Sequence, residues 1–263
     1  MSHTPGEKRP VGDEAQFLKR LADIRELMRP FTTSQAYQLL QSAWDNLAVP
    51  ITLEGAQGPG LDPYHGVYPD VTASRPMSHH INDAVYNIIH PDDIYFRAAV
   101  LKATYMSSVG TRHLPAEVDA ENEKWIQQAF DEKGRSTGRL RDIYPISIPI
   151  AQYLRRAAGY RFTVATHLDA SRPDVDIHVI TDYTDAVSGE AQPYLPFQDH
   201  LDTLRAHSQR FTGWDGQAIK NARTFDQLPD TTRQYLDFLS TAIAPLIMLT
   251  TGPDLEECIT WIA

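Results

Sequence analysis

Pro50-Ile51-Thr52-Leu53-Glu54-Gly55-Ala56-Gln57-Gly58-Pro59-Gly60 reads as a short apolar strand, Pro50 to Leu53, running straight into a glycine-rich turn. Gly55, Gly58 and Gly60 let the backbone reverse sharply, and the carboxyl ends of strands are where open α/β sheets collect ligands. Two later stretches repeat the pattern: Arg161 to Ala165 ends at Thr166-His167-Leu168-Asp169, and Pro245 to Leu249, read as the last strand, ends at Thr250-Thr251-Gly252-Pro253-Asp254. Val175 to Ile180 alternates like a strand, and Ala98 to Tyr105 reads as another buried element. Helical spacing predicts an amphipathic helix from Glu14 to Met28, stopped by Pro30, and a second, capped by Thr32, Thr33 or Ser34, that carries Leu39, Leu40 and Trp44. Further helices are expected at 146–158 and 227–242, with loops at 66–75 and 134–142. The expected fold class is α/β, a central mostly parallel sheet flanked by helices with a cleft along the strand ends. Residues 1–33 are expected to form a loose leader and the first helix, and 34–263 the α/β domain.

A chain of 263 residues with 42% hydrophobic content can bury a substantial core. Its 24 basic against 34 acidic residues give a formal charge of −10, which excludes a general affinity for nucleic-acid backbone or anionic membrane. A phosphate-bearing partner would need a local site. The lone Cys258 rules out an internal disulfide framework and reads as a small core residue in a reducing compartment. No apolar stretch follows Lys8 and Arg9, and no window approaches the ~20 apolar residues of a membrane helix, so a cytoplasmic location is expected. His79 and His80 are adjacent and point to different faces of a regular element, a poor metal pair, so no metal site is expected.

The string Leu53-Glu54-Gly55-Ala56-Gln57-Gly58, followed by Leu61-Asp62, His65-Gly66, Tyr68-Pro69 and Val71-Thr72, resembles a motif of the adenylosuccinate synthetase family. The resemblance continues in order. Val100-Leu101-Lys102-Ala103, Val109-Gly110 and Leu114-Pro115-Ala116-Glu117 are similar to the family's next segments. Ser136-Thr137-Gly138-Arg139-Leu140-Arg141 resembles its aspartate-gripping loop, Thr166-His167-Leu168-Asp169 its threonine-lysine-leucine-aspartate, and Thr251-Gly252-Pro253-Asp254 its closing motif. The run extends from about Ser34 to Ile259. The family also carries a glycine- and lysine-rich phosphate loop after an opening strand. These residues hold no match to it, since the echo at Gly12-Asp13-Glu14 is followed by Ala15-Gln16-Phe17.

The resemblance implies a P-loop-related fold lacking its phosphate-loop half and a GTP-dependent ligase joining aspartate, or a similar amino acid, to inosine monophosphate or a related acceptor. It implies Gln57, Gly58, Thr72 and Arg139 for the nucleotide acceptor, Ser136, Thr137, Arg139 and Arg141 for aspartate, and His167, Asp169, Thr251 and Gly252 for the GTP base. Each has an ordinary structural alternative: Gln57 as a turn amide bonded to its own loop, the arginines as surface charge, Thr251-Gly252 as a strand-to-helix turn. His167 stands where the family has lysine, which bears on guanine preference, and Asp142 where it has a further basic residue. Mg²⁺ and phosphate chemistry would come from a partner polypeptide bearing the phosphate loop, in a homo- or hetero-oligomer. Two other readings stand beside this one: a non-catalytic nucleotide-binding or regulatory homologue, and a ligase for a different acceptor.

Overall fold

The computed structural model describes residues 13–46, 48–116, 118–134 and 138–260. Their contacts divide the chain into two compact units, Met1–Thr52 and Leu53–Ala263.

The first unit carries helix α1 (Glu14–Met28) and helix α2 (Ala36–Asp45). Asp13 caps α1, its carboxylate accepting from the Ala15 amide at 3.1 Å, so Asp13 and Glu14 open a helix. The expected cap of α2 is corrected: Gln35 precedes it without a side-chain bond to the helix, while Thr33 Oγ1 accepts from the Gln35 amide at 3.0 Å.

The second unit runs, in chain order, through α3 (Ile81–Ala84), β1 (Ala98–Lys102), β2 (Met106–Ser108), α4 (Ala120–Ala129), β3 (Asp142–Tyr144), β4 (Ile146–Ser147) and α5 (Ile148–Ala158). It continues with β5 (Phe162–Thr166), β6 (Ile177–Asp185), β7 (Ala191–Gln192), α6 (Gln198–Leu201), β8 (Leu204–Phe211), α7 (Asp230–Ala242), β9 (Leu246–Thr250) and β10 (Cys258–Thr260). One sheet has the order β1-β5-β9-β10, with β1, β5 and β9 parallel and β10 antiparallel. A second pairs β4 parallel to β6, with β7 and β8 antiparallel against β6. β2 and β3 form a short antiparallel ribbon. The α/β class with a mostly parallel central sheet is what the sequence predicts.

Local chemistry sets the element ends. Ser147 caps α5 by accepting from the Ile150 amide, and Gly159 ends it in the left-handed region at φ 69°, where a side chain would be strained. Tyr235, Leu236 and Leu239 of α7 and Ile148 of α5 pack with Ala165, Leu249 and Ile259 of the sheet, removing apolar surface from water.

Two expectations need correction. Residues 50–53 form no strand, because no stretch among the described residues completes a ladder with them. β9 is not the last strand: Ile259 of β10 pairs with Leu249 after the turn at Pro253-Asp254.

Candidate functional site

The register of the sheet places the carboxyl ends of its parallel strands on one rim. Lys102 is paired with Thr166, and Ala165 with Leu249 one residue before Thr250. The chain leaving β5 is tied to the end of β9 by the Leu168 amide, which donates to the Thr250 carbonyl at 3.2 Å. His167 sits between in the left-handed region at φ 58°, its Nδ1 3.0 Å from Thr166 Oγ1. His167, Asp169, Thr251 and Gly252 are therefore brought together. Thr251 is buried and its amide donates to the Glu257 carbonyl at 2.8 Å. Gly216 approaches so closely that a Cβ there would lie 2.0 Å from the Asp169 carbonyl oxygen.

Burial, and then the neighbouring Lys102 charge, hold the His167 imidazole below its ordinary pKa, so the ring is neutral at physiological pH. Burial pushes the Asp169 carboxyl upward, opposed by its backbone hydrogen bond and by Lys220.

Beside His167 lies a polar cluster that sequence reading did not assign. Glu132, only 2% exposed, accepts from Lys102 Nζ, from Tyr105 Oη at 2.6 Å and from Arg141 Nη1 at 2.9 Å. Burial alone would raise its carboxyl, but the bonds from Lys102 and Tyr105, with that from Arg141, carry it below the usual range. Burial lowers the Lys102 pKa, an effect that Glu132 opposes. Two cations and one carboxylate leave the cluster a net positive charge at the strand ends. Lys102 lies in one of the motifs, but nothing local marks Glu132 as buried.

Arg141 enters from an arm closed on itself. Lys133 bridges Leu140, the Gly134 amide donates to the Arg139 carbonyl at 2.8 Å, and the Arg141 amide donates to the Glu132 carbonyl at 2.9 Å. Gly138, at φ 68°, makes the reversal. Arg139 is exposed, two residues before Arg141. Ser136 and Thr137 lie outside the described residues.

The loop at Gln57 is preorganised by its own polar groups. Gln57 is left-handed at φ 56°, and its Oε1 accepts from Thr72 Oγ1 at 3.3 Å and from Ser74 Oγ. The Thr72 amide donates to the Leu61 carbonyl at 2.8 Å, and the Gly58 carbonyl accepts from the Leu61 amide at 2.9 Å. Arg112 clamps the loop to β2, with Nη1 donating to the Gly60 carbonyl at 2.9 Å and Nε to Ser108 Oγ at 2.7 Å. Ser108 pairs with Asp142, the residue after Arg141. The glutamine loop and the arginine arm thus reach the same end of the β2–β3 ribbon.

A cleft of about 460 Å³ lined by Trp125 and Arg172 shares Tyr105 with the polar cluster and contains none of Gln57, Arg141, His167 and Asp169. Among the described residues no group of three or more His, Cys, Asp or Glu side chains could hold a metal ion, and no helix is long and apolar enough to cross a membrane.

The fold and rim define an α/β protein whose parallel strands end in polar and cationic loops. The adenylosuccinate synthetase family model matches residues 6–259, so the chain belongs to that family. It is 30% identical over 250 residues to the adenylosuccinate synthetase of Koribacter versatilis, covering 94% of this chain and 54% of that protein. With that of Lactiplantibacillus plantarum it shares 28% over 267 residues, covering 95% and 60%. The fully ligated Plasmodium falciparum adenylosuccinate synthetase superposes with a TM-score of 0.86 at 19% identity, over 96% of this chain and 59% of that one, which shows the shared fold. The chain thus spans a little over half the length of the relatives it matches.

Proposed function

We propose that this chain supplies the acceptor- and amino-acid-binding part of a GTP-dependent ligase joining aspartate, or a similar amino acid, to inosine monophosphate or a related acceptor. A separate polypeptide would contribute the phosphate loop, with Mg²⁺ bound there. The observation that carries the reading is the joining of the loop at Gln57 and the arm at Arg141 at one end of the β2–β3 ribbon, beside a net positive cluster.

The residues suit those roles. Because Thr72 and Ser74 occupy Gln57 Oε1, its amide N–H groups are turned to donate, as the 6-oxygen of a hypoxanthine ring requires. Thr72 and the Gly58 turn hold that amide in place. Arg139 and Arg141 are planar forks suited to carboxylates, and Glu132 fixes the second of them before substrate arrives. In this reading Asp169, with Thr251 and Gly252, accepts from the N–H edge of a guanine. A neutral His167 gives that base no cation, so discrimination between GTP and ATP rests on Asp169. When bound, Mg²⁺ would neutralise phosphate charge. No described side chains gather to hold it. A second reading, nucleotide binding without turnover, draws on the same Glu132–Arg141 ion pair, which takes up cationic charge that a diacid would otherwise use.

A thermal-shift panel of inosine monophosphate, aspartate, GTP and ATP on the purified chain tests the proposal. A ligand at 100 times its Kd adds about 2.7 kcal/mol, which corresponds to a rise of roughly 5–11 °C for a unit of this size. Inosine monophosphate and aspartate should each raise the melting point, and Arg139→Ala should abolish the aspartate response. No shift with any of the four would overturn the ligase reading. Shifts without turnover, even with the phosphate-loop polypeptide present, would favour the binding protein.

A further inference from the structure

The cleft beside the polar cluster has the volume of a small-molecule site, about 460 Å³ against a usual range of about 300–1,000 Å³. Its back wall is apolar: Tyr105, Ile126 of α4, Pro145 and Ile177 of β6 are all buried. Arg172 enters from the turn after β5 and lies over the ring of Trp125, its guanidinium carbon 4.9 Å from the ring centroid. Beyond that contact the side chain makes no hydrogen bond or ion pair among the described residues, and its Nε is buried without an acceptor. An unpaired guanidinium partly stripped of water is costly, and an indole face offsets only part of that cost. A carboxylate would supply the missing partner, since charge-assisted bonds to a planar fork are the strong ones. The solvent-facing end has the opposite sign. Asp119 and Asp174 are exposed there, while Asp176 is engaged by Arg210 at 3.1 Å. Asp119 uses only Oδ1 to accept from the Glu121 and Asn122 amides, so its Oδ2 is uncommitted.

We infer that this cleft is a binding site for a small zwitterion, an α-amino acid with an apolar or aromatic side chain. Its carboxylate pairs with Arg172, its ammonium with Asp119 and Asp174, and its side chain rests on Ile126 and Ile177. The distribution of charge selects this class. A simple anion would satisfy Arg172 but meet carboxylates at the entrance, and a simple cation would leave the guanidinium unpaired. The polar groups at the back of the cleft are already engaged and offer a polar side chain nothing: Thr104 Oγ1 donates to the Ala170 carbonyl at 2.7 Å, and Ser171 Oγ accepts from the Trp214 amide at 2.9 Å. An apolar side chain instead leaves water there. Of the polar cluster only Tyr105 reaches this cleft, so binding here does not depend on the acceptor, aspartate or nucleotide sites proposed above.

Calorimetric titration of the full chain with L-phenylalanine and L-leucine tests this, beside two probes that each delete one charge: L-phenylalaninamide, which lacks the carboxylate, and 3-phenylpropionate, which lacks the ammonium. At least one of the amino acids should bind saturably and one-to-one, and both deletion probes should bind more weakly than phenylalanine. Arg172→Met should weaken amino-acid binding by about tenfold or more. Asp174→Asn, at an exposed position where the fold is not at stake, should weaken it by about two- to fivefold, as for an exposed ion pair. No saturable binding of either amino acid at millimolar concentration overturns the inference. So does amide or propionate binding as tight as that of phenylalanine, or unchanged affinity in an Arg172→Met variant that keeps its melting temperature. Should Arg172→Met fail to fold, the two deletion probes and Asp174→Asn decide the matter, and equal affinities across them overturn it.

Discussion

Replacing Glu132 by alanine should be among the most damaging single changes at the rim. The carboxylate is 2% exposed and receives three donors, from Lys102, Tyr105 and Arg141. Its loss leaves two cations, with side chains 21% and 31% exposed, facing each other across a hole, and strips the buried Tyr105 hydroxyl of its acceptor. Removing one member of a buried ion pair costs about 3–5 kcal/mol. For a unit of this size that lowers the melting temperature by roughly 6–20 °C. Glu132→Gln keeps the volume and an acceptor, so it should lose less, about 1.5–3 kcal/mol for charged hydrogen bonds exchanged for neutral ones. Urea unfolding of these two variants, of Glu132→Leu, of Lys102→Met and of the double Lys102→Met/Glu132→Leu separates charge from packing. The double variant should be more stable than Glu132→Leu alone, since the stranded ammonium is gone. A loss under 1 kcal/mol for Glu132→Ala, or strict additivity in the double variant, would refute the account of the cluster.

Other expectations follow from the same geometry. The folded-state pKa of His167 lies below its ordinary value of 6.5, so the folded chain binds fewer protons; its contribution is constant above 6.5 and is lost as pH falls below it. His167→Gln should flatten that part of a stability profile measured between pH 8 and 5, and an unchanged slope would contradict the burial of the ring. Glu132 acts in the same direction lower down, its stabilisation fading as pH drops from 4.5, and Glu132→Gln should remove that decline in acid titration. Gly216→Ala forces a Cβ against the Asp169 backbone at 2.0 Å, where no flexible side chain can yield, and should cost about 1–3 kcal/mol by thermal melting. A neutral result would mean that the approach of Gly216 to Asp169 is not tight.

Local signals carried far where an element is decided by its own residues. The α1 bounds follow from apolar positions at helical spacing, and β5 lies one residue from its expected place because Phe162 to Ala165 suits a pleated, half-buried surface. Residues 50–53 have the same composition but no ladder partner, which no window of sequence reveals. β8 and β10 escaped notice for opposite reasons, one because most of its positions are exposed and polar, the other because it is three residues long. The motifs singled out Gln57 and Thr72, which the fold joins by a hydrogen bond, and Arg141, His167 and Asp169, which lie near the strand ends. Glu132 was hidden because its burial depends on Lys102, thirty residues earlier, and on Tyr105.

The most direct test is calorimetric titration of inosine monophosphate into the wild-type chain and into Gln57→Leu. The account predicts saturable one-to-one binding to the wild type and at least a tenfold weaker Kd in the variant, about 1.4 kcal/mol. Absence of binding to the wild type, or equal affinity in both, would contradict it.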